Sequence, residues 1–235
     1  MSNLPNVTCI VSSKHDWVFD IFAMSYLETI SYPLIVLHEL TDDIRNKYSM
    51  FQYVDAPVPF SPYSAWNIGI KLSENDDVVL LTDDLYLHTT NMVEKLQQVA
   101  YAEKGIGCVG PLLETAQNPQ QHPANQPPCP MGKAGWIPYM VTQDKVDAES
   151  LYIKRTVIDD IGLFDENFRW YRGHHDFALR VRLAGYLHAI CYAVFVQHGG
   201  PIYGNGKAIT ATLTENDINP DLIYWEKKQK ELAGQ

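Results

Sequence analysis

Four cysteines in 235 residues, with no Cys-x-x-Cys pair among them, leave this sequence without the ligand spacing of a structural zinc site. No apolar run reaches the roughly 20 residues that a membrane-spanning helix needs. Positive charge is scarce: 18 Lys and Arg stand against 28 Asp and Glu, a formal net charge of -10. That balance excludes a general nucleic-acid binder, which needs an excess of cations to neutralise a phosphate backbone. It does not exclude a nucleotide, because a bound metal can offset a diphosphate locally. The first strand is not followed by a Gly-rich loop. Ser12-Ser13-Lys14-His15-Asp16 is a poor phosphate cradle, which counts against a nucleotidyltransferase. Internal repeats are absent. The opening residues Met1 to Asn6 carry neither a basic n-region nor an apolar h-region, so Asn6-Val7-Thr8 is read as an idle glycosylation sequon. The expectation is a cytoplasmic protein, with Cys9, Cys108 and Cys191 as buried thiols in apolar segments.

What is present fits a core-forming chain. Hydrophobic residues make up 46% of it, and the mean hydropathy of -0.19 is ordinary for a globular protein. Short apolar runs alternate with helical periodicity. Strands are expected at 7–11, 34–37, 51–54, 78–81, 106–109, 150–154 and 188–196. Helices are expected at 16–29, 63–72, 90–104, 157–161 and 175–184, with a Lys-rich amphipathic helix at 222–232 after Pro220 and Asp221. Such alternation predicts an α/β fold, a mostly parallel central sheet with helices on both faces, in a single domain over 1–235. The stretch 117–138 breaks the pattern. It holds Pro119, Pro123, Pro127, Pro128, Pro130 and Pro138 and reads as an irregular insertion, either functional or a plain surface loop.

The segment Val78-Val79-Leu80-Leu81-Thr82-Asp83-Asp84 is an apolar strand running straight into two acids. Carboxylates at such a strand end sit at the rim of an α/β sheet, where ligands collect. Adjacent anions repel unless a cation compensates, so a divalent metal is one reading. A helix cap plus a turn acid is the equal alternative. His174 and His175 are candidates for a general base near neutral pH or for metal binding, or they simply begin a helix. Asp176 and Arg180 lie four apart, on one helical face. His198, followed by Gly199 and Gly200, is a third corner of a metal site or a sheet-edge residue. Trp136 and Trp170 lie next to loops and offer faces for a base or a sugar.

The order of these pieces carries a resemblance. Asn67 with Gly69, Val79 to Asp84, Ile161-Gly162-Leu163-Phe164-Asp165-Glu166, Asp176 with Arg180, Ala184-Gly185-Tyr186 and His198-Gly199-Gly200 together resemble the GT-A-fold glycosyltransferases of family 2. The rhamnosyltransferase-like and polysaccharide-assembly members are nearest in style, and the resemblance spans about residues 7 to 205. It implies the GT-A fold and an inverting transfer of sugar from a nucleotide-diphosphate donor of UDP, dTDP or GDP type to a glycan or lipid-linked acceptor. Nucleic acid is not an implied partner. Asp84 would hold Mn²⁺ or Mg²⁺ with His198, and Asp83 would lie beside the donor ribose or sugar. Ser12, Ser13, Glu39 and Asp43 fall on the nucleotide side, and Asn67, Trp170 and Arg180 are further substrate-binding candidates. Residues 117–138 and 168–173 would shape the acceptor side. Two positions depart from the family. His38 stands where a base-binding Asp is usual, and His174 stands where the catalytic carboxylate belongs. Three outcomes stay open: His174 is the base, Asp176 or another acid substitutes, or the protein is a non-catalytic sugar-nucleotide or glycan-binding relative.

Overall fold

The computed structural model describes residues 4–114, 121–122, 132–143, 145–199 and 214–233. Its first half alternates up to β4: β1 (Val7–Ser13), α1 (Asp16–Thr29), β2 (Leu34–His38), α2 (Asp42–Lys47), β3 (Gln52–Asp55), α3 (Pro62–Leu72) and β4 (Asp77–Thr82), then the short β5 (Leu85–Leu87) and α4 (Met92–Ala100). The second half brings β6 (Ile106–Leu113), β7 (Gly132–Ala134), β8 (Ile137–Thr142), β9 (Ser150–Ile153), α5 (Arg155–Ile161), α6 (Gly173–Leu183), β10 (Leu187–His198) and α7 (Glu215–Ala233).

The strands form one 10-stranded sheet in the order β3-β2-β1-β4-β9-β6-β10-β8-β7, with β5 pairing to β10. β1, β2, β3 and β4 pair in parallel, as do β6 and β10, which is the expected parallel framework. β9 is inserted antiparallel between β4 and β6, and β8 and β5 run antiparallel to β10. The sheet is therefore mixed.

Strand alternation explains why both faces are covered. Cys9, Val11, Val79 and Leu81 point into a core made with α1 and α4. Ile10, Ile35, Leu37, Val78 and Leu80 point into a second core with α3, α5 and α6. Each fully buried aliphatic side chain contributes about 1.5–3 kcal/mol to that arrangement. α3 approaches the sheet closely because Gly69 faces Ile10: a Cβ there would stand 2.4 Å from Ile10 Cγ2.

Several boundaries moved. β6 continues through Pro111 to Leu113, and α7 begins at Glu215, with Pro220 inside it rather than ahead of it. Pro220 is exposed and lies in the second turn, where its missing N–H removes one helical bond from a face open to water. The stretch expected to be irregular ends in the β7–β8 hairpin, whose turn carries Gly135 at φ 64. Residues 117–120 and 123–131 of that stretch lie outside the described residues.

Candidate functional site

β1, β4, β6 and β10 all point their C-terminal ends to one edge of the sheet, and β9 begins there because it runs the other way. That edge gathers Ser13, Asp83, Asp84, Glu149 and His198. Ser12 is paired in register with Thr82, and the next residue, Ser13, donates its hydroxyl to Asp83 Oδ2 at 2.7 Å. His198 ends β10 with Nε2 3.1 Å from Asp84 Oδ2, and the Gly199 amide donates to the Asp84 carbonyl at 2.9 Å. Thr82 N–H donates to the Glu149 carbonyl at 3.0 Å, which holds Glu149 against the strand end. The buried Oε2 of Glu149 has no hydrogen-bond partner.

The electrostatics follow from acids crowded out of water. Burial and the neighbouring Asp84 push the Asp83 carboxyl up to about 7, against the pull of Ser13. Burial works against ionised Asp84 as well, but the His198 imidazole holds it below the usual carboxylate range. Burial disfavours a charged His198. Asp84, with Glu149 and Asp147 behind it, nonetheless raises that ring to about 9. Burial also raises Glu149. At neutral pH the edge therefore holds an Asp84 anion paired with an imidazolium, beside an Asp83 carboxyl near its midpoint and a Glu149 carboxyl raised above its ordinary value.

These groups test the fit of a metal. A carboxylate and an imidazole standing side by side are suitable donors for Mn²⁺, and a cation between them would replace the proton of His198. Among the described residues, no group of three or more His, Cys, Asp or Glu side chains is arranged to hold a metal ion. From this pair a cation would draw two protein ligands. The remaining ligands would have to be diphosphate oxygens and water.

The other expected site residues sit as follows. Glu39 pairs with Lys14 at 3.5 Å, while Asp43 is exposed in the first turn of α2. His38 is buried at the end of β2 and accepts the Leu40 N–H at Nδ1, 3.0 Å. Asn67 is buried, and its amide is fully engaged: it donates to the Phe164 carbonyl and Glu166, and accepts from Phe164 N–H. It fastens the Gly162-to-Glu166 loop to α3. Arg180 donates to Asp176 and to the carbonyls of Ile161 and Leu163. Trp170 is half-buried, its ring 5.7 Å from Phe60. Trp136, 70% exposed in the hairpin turn, lies under Lys95.

His174 and Asp176 belong to a separate cluster at the start of α6. Gly173 is needed there because a Cβ would stand 2.6 Å from the Tyr63 ring. Tyr63 Oη accepts the Gly173 N–H at 3.1 Å and lies 3.3 Å from His174 Nδ1. Burial, with Lys145 and Arg172 nearby, pushes His174 down to about 3; the same burial, with His174 and those cations, takes His175 to about 2. Asp176 is fully buried, bound by Arg180 at 2.9 Å and by Lys228 of α7 at 2.6 Å. Asp221 of α7 accepts N–H groups from Arg169, Trp170 and Tyr171 at 2.9, 2.7 and 2.6 Å. Lys145, Asp147, Glu149, Asp221 and Lys228 were not among the expected site residues. Lys145 and Lys228 carried no sequence signal beyond charge.

No family model and no curated protein matches the sequence. Solved structures do. The structure of GalNAc-T7 with UDP, GalNAc and Mn²⁺ superposes with a TM-score of 0.59 at 10% identity, over 84% of this chain and 44% of that one. S. aureus TarS 1-349 gives 0.58 at 12% identity, over 83% of this chain and 61% of that one. The same TarS fragment in complex with UDP gives 0.57 at 12% identity. This chain therefore spans about half the length of the structures it resembles. At such identities the likeness establishes the fold: this is an α/β protein of GT-A architecture. No helix among the described residues is long and apolar enough to cross a membrane.

Proposed function

We propose that the protein binds a nucleotide-diphospho-sugar at the sheet edge formed by Ser13, Asp83, Asp84 and His198. One observation carries this reading. The Asp84–His198 pair at 3.1 Å stands beside the Ser13–Asp83 hydrogen bond at the C-terminal strand ends, where α/β sheets collect ligands. UDP accompanies two of the solved structures that share the fold, and Mn²⁺ one of them, which makes UDP with Mn²⁺ the first pair to test. Asp84 and His198 would hold the cation, and its charge would offset that of the diphosphate. Ser13 and Asp83 would face the ribose or sugar. Glu39 near the end of β2, and Asp43 beyond it, would flank the base.

Calorimetric titration of UDP, dTDP and GDP, with and without Mn²⁺ or Mg²⁺, tests it. The expected result is saturable, metal-dependent binding of one diphosphate. Lack of binding by all three, in either condition, would sink the reading.

A second reading adds inverting transfer, as in family 2, and one observation favours it: the Glu149 carboxyl has a buried oxygen without a hydrogen-bond partner. An acid whose pKa burial has raised is suited to accept a proton from an acceptor hydroxyl as that hydroxyl attacks the anomeric carbon. His174 is the rival base, but burial and the cations beside it keep it from holding a proton. Transfer predicts release of free nucleoside diphosphate only when an acceptor is present. A protein that binds donor and never releases it is the non-catalytic relative. In either case, buried Cys9, Cys108 and Cys191 suit a reducing, cytoplasmic setting.

A further inference from the structure

A cavity of about 210 Å³ opens between α6, α7 and the segment ahead of β9. Its polar lining is made of groups that can donate hydrogen bonds: Lys145, His175, Arg182, Gln143 and Gln229, with Trp225 as an aromatic wall. His175 and Arg182 lie seven residues apart on α6 and so share a face. Lys145 reaches in from the β9 side, bound to Asp147 at 2.7 Å. Arg172 adds a further cation, its Nη1 3.0 Å and 3.1 Å from the two ring nitrogens of His175. Lys145, Arg182 and Arg172 thus gather here in a chain whose net charge is -10.

The cavity is linked to the sheet edge through its lysine. Lys145 pairs with Asp147, Asp147 lies near enough to His198 and Glu149 to raise both, and the segment runs on to Glu149. We propose that this cavity binds a phosphate group of the acceptor, anchoring it while an acceptor hydroxyl reaches towards Glu149. The acceptor role rests on the sugar-nucleotide reading above; anion binding by the cavity does not. Phosphate fits better than carboxylate because the donors converge from three elements, as a tetrahedral anion with several oxygens requires, and a guanidinium with an ammonium is a common phosphate pair.

Inorganic phosphate is the probe, titrated by calorimetry at fixed ionic strength, alone and with UDP and Mn²⁺ at saturating concentration. Acetate serves as the control anion. The expected result is saturable phosphate binding that persists with UDP present and weakens about tenfold in Arg182→Gln, a substitution at an exposed position. His175 imidazole resonances should shift on titration. An equal response to acetate, unchanged affinity in Arg182→Gln, or shifts confined to His198 would overturn the proposal. If UDP fails to bind while phosphate still behaves as expected, the donor reading falls and the anion site stands. A sugar phosphate monoester and dimethyl phosphate then separate sources: either one binding at the cavity supports it, and binding of neither limits the site to the free ion and overturns the acceptor role.

Discussion

The sheet edge and the α6–α7 junction are built from the same residue types and treat their acids in opposite ways. At the junction three acids are matched. Asp176 has Arg180 and Lys228, Asp165 has Lys228 and Tyr224, and Asp221 has three consecutive backbone amides. At the edge the acids outnumber their partners: Asp83 and Asp84 are adjacent, Glu149 has an oxygen without a hydrogen bond, and His198 is the imidazolium bound to Asp84. Matched acids hold loops in place. Crowded acids leave a field that a cation could relieve, which is why we propose the ligand at the edge and leave Asp176 and Arg180, despite their resemblance to family 2, to hold the junction together.

The largest effect that could break this contrast is on stability at the junction. Asp176→Ala leaves Arg180 and Lys228, both mostly buried, without their shared anion, and should lower the unfolding free energy by about 3 kcal/mol in denaturant titration. A loss below about 1 kcal/mol would place Asp176 among the ordinary surface pairs. Next in size is Asp84→Ala, which should reduce metal-dependent UDP affinity about a hundredfold by removing one of two protein ligands. Unchanged calorimetric affinity would remove Asp84 from the metal seat.

Asp83→Asn should act in the reverse sense from Asp176→Ala. The folded Asp83 carboxyl sits at about 7, above its ordinary value of 3.8, so its contribution is fully present below about pH 4 and is lost as pH rises through 7. At about pH 8 the ionised acid opposes Asp84, and the amide should raise the melting temperature relative to the parent; the advantage should vanish near pH 4. Destabilisation at both pH values would mean that the Ser13 hydrogen bond outweighs the repulsion.

How much of this was visible beforehand depends on which strand is considered. β1, β2 and β4 are buried on both faces and read directly as apolar runs, so Asp83 and Asp84 could be placed at a strand end. Sequence also placed His198 at the end of its strand. The approach of Glu149 could not be read, because an apolar run such as Ser150 to Ile153 does not disclose its direction. In a parallel sheet its first residue would lie at the far edge; only the antiparallel insertion between β4 and β6 carries Glu149, with Asp147 and Lys145 before it, to the ligand side. The β7–β8 hairpin was hidden for a different reason. Pro138 and the exposed Trp136 obscure a pattern that pairing with β10 stabilises. Asn67 and Gly69 stand out in the sequence as a pair, and their visible work is packing: one fastens a loop and the other admits Ile10.

The smallest effect concerns the histidines that separate the two regions. His174 and His175 have folded values of about 3 and 2, below the ordinary 6.5. The unfolded chain therefore binds protons that the folded chain refuses, and the stability tied to these rings is complete above about pH 6.5 and declines as pH falls towards 3. By about pH 5.5 the unfolded imidazoles are largely protonated and the folded ones are not, so each ring should cost on the order of 1 kcal/mol. His174→Gln retains a polar group facing Tyr63 while removing one titration, so its melting temperature should fall less than the parent's between pH 7 and about pH 5.5. UDP affinity at pH 7 should not change, since the ring contacts Tyr63 and His175 rather than Asp84. Parallel pH profiles would show that neither burial nor the cations Lys145 and Arg172 lower this ring. A loss of UDP affinity would join the two regions and return His174 to the ligand site.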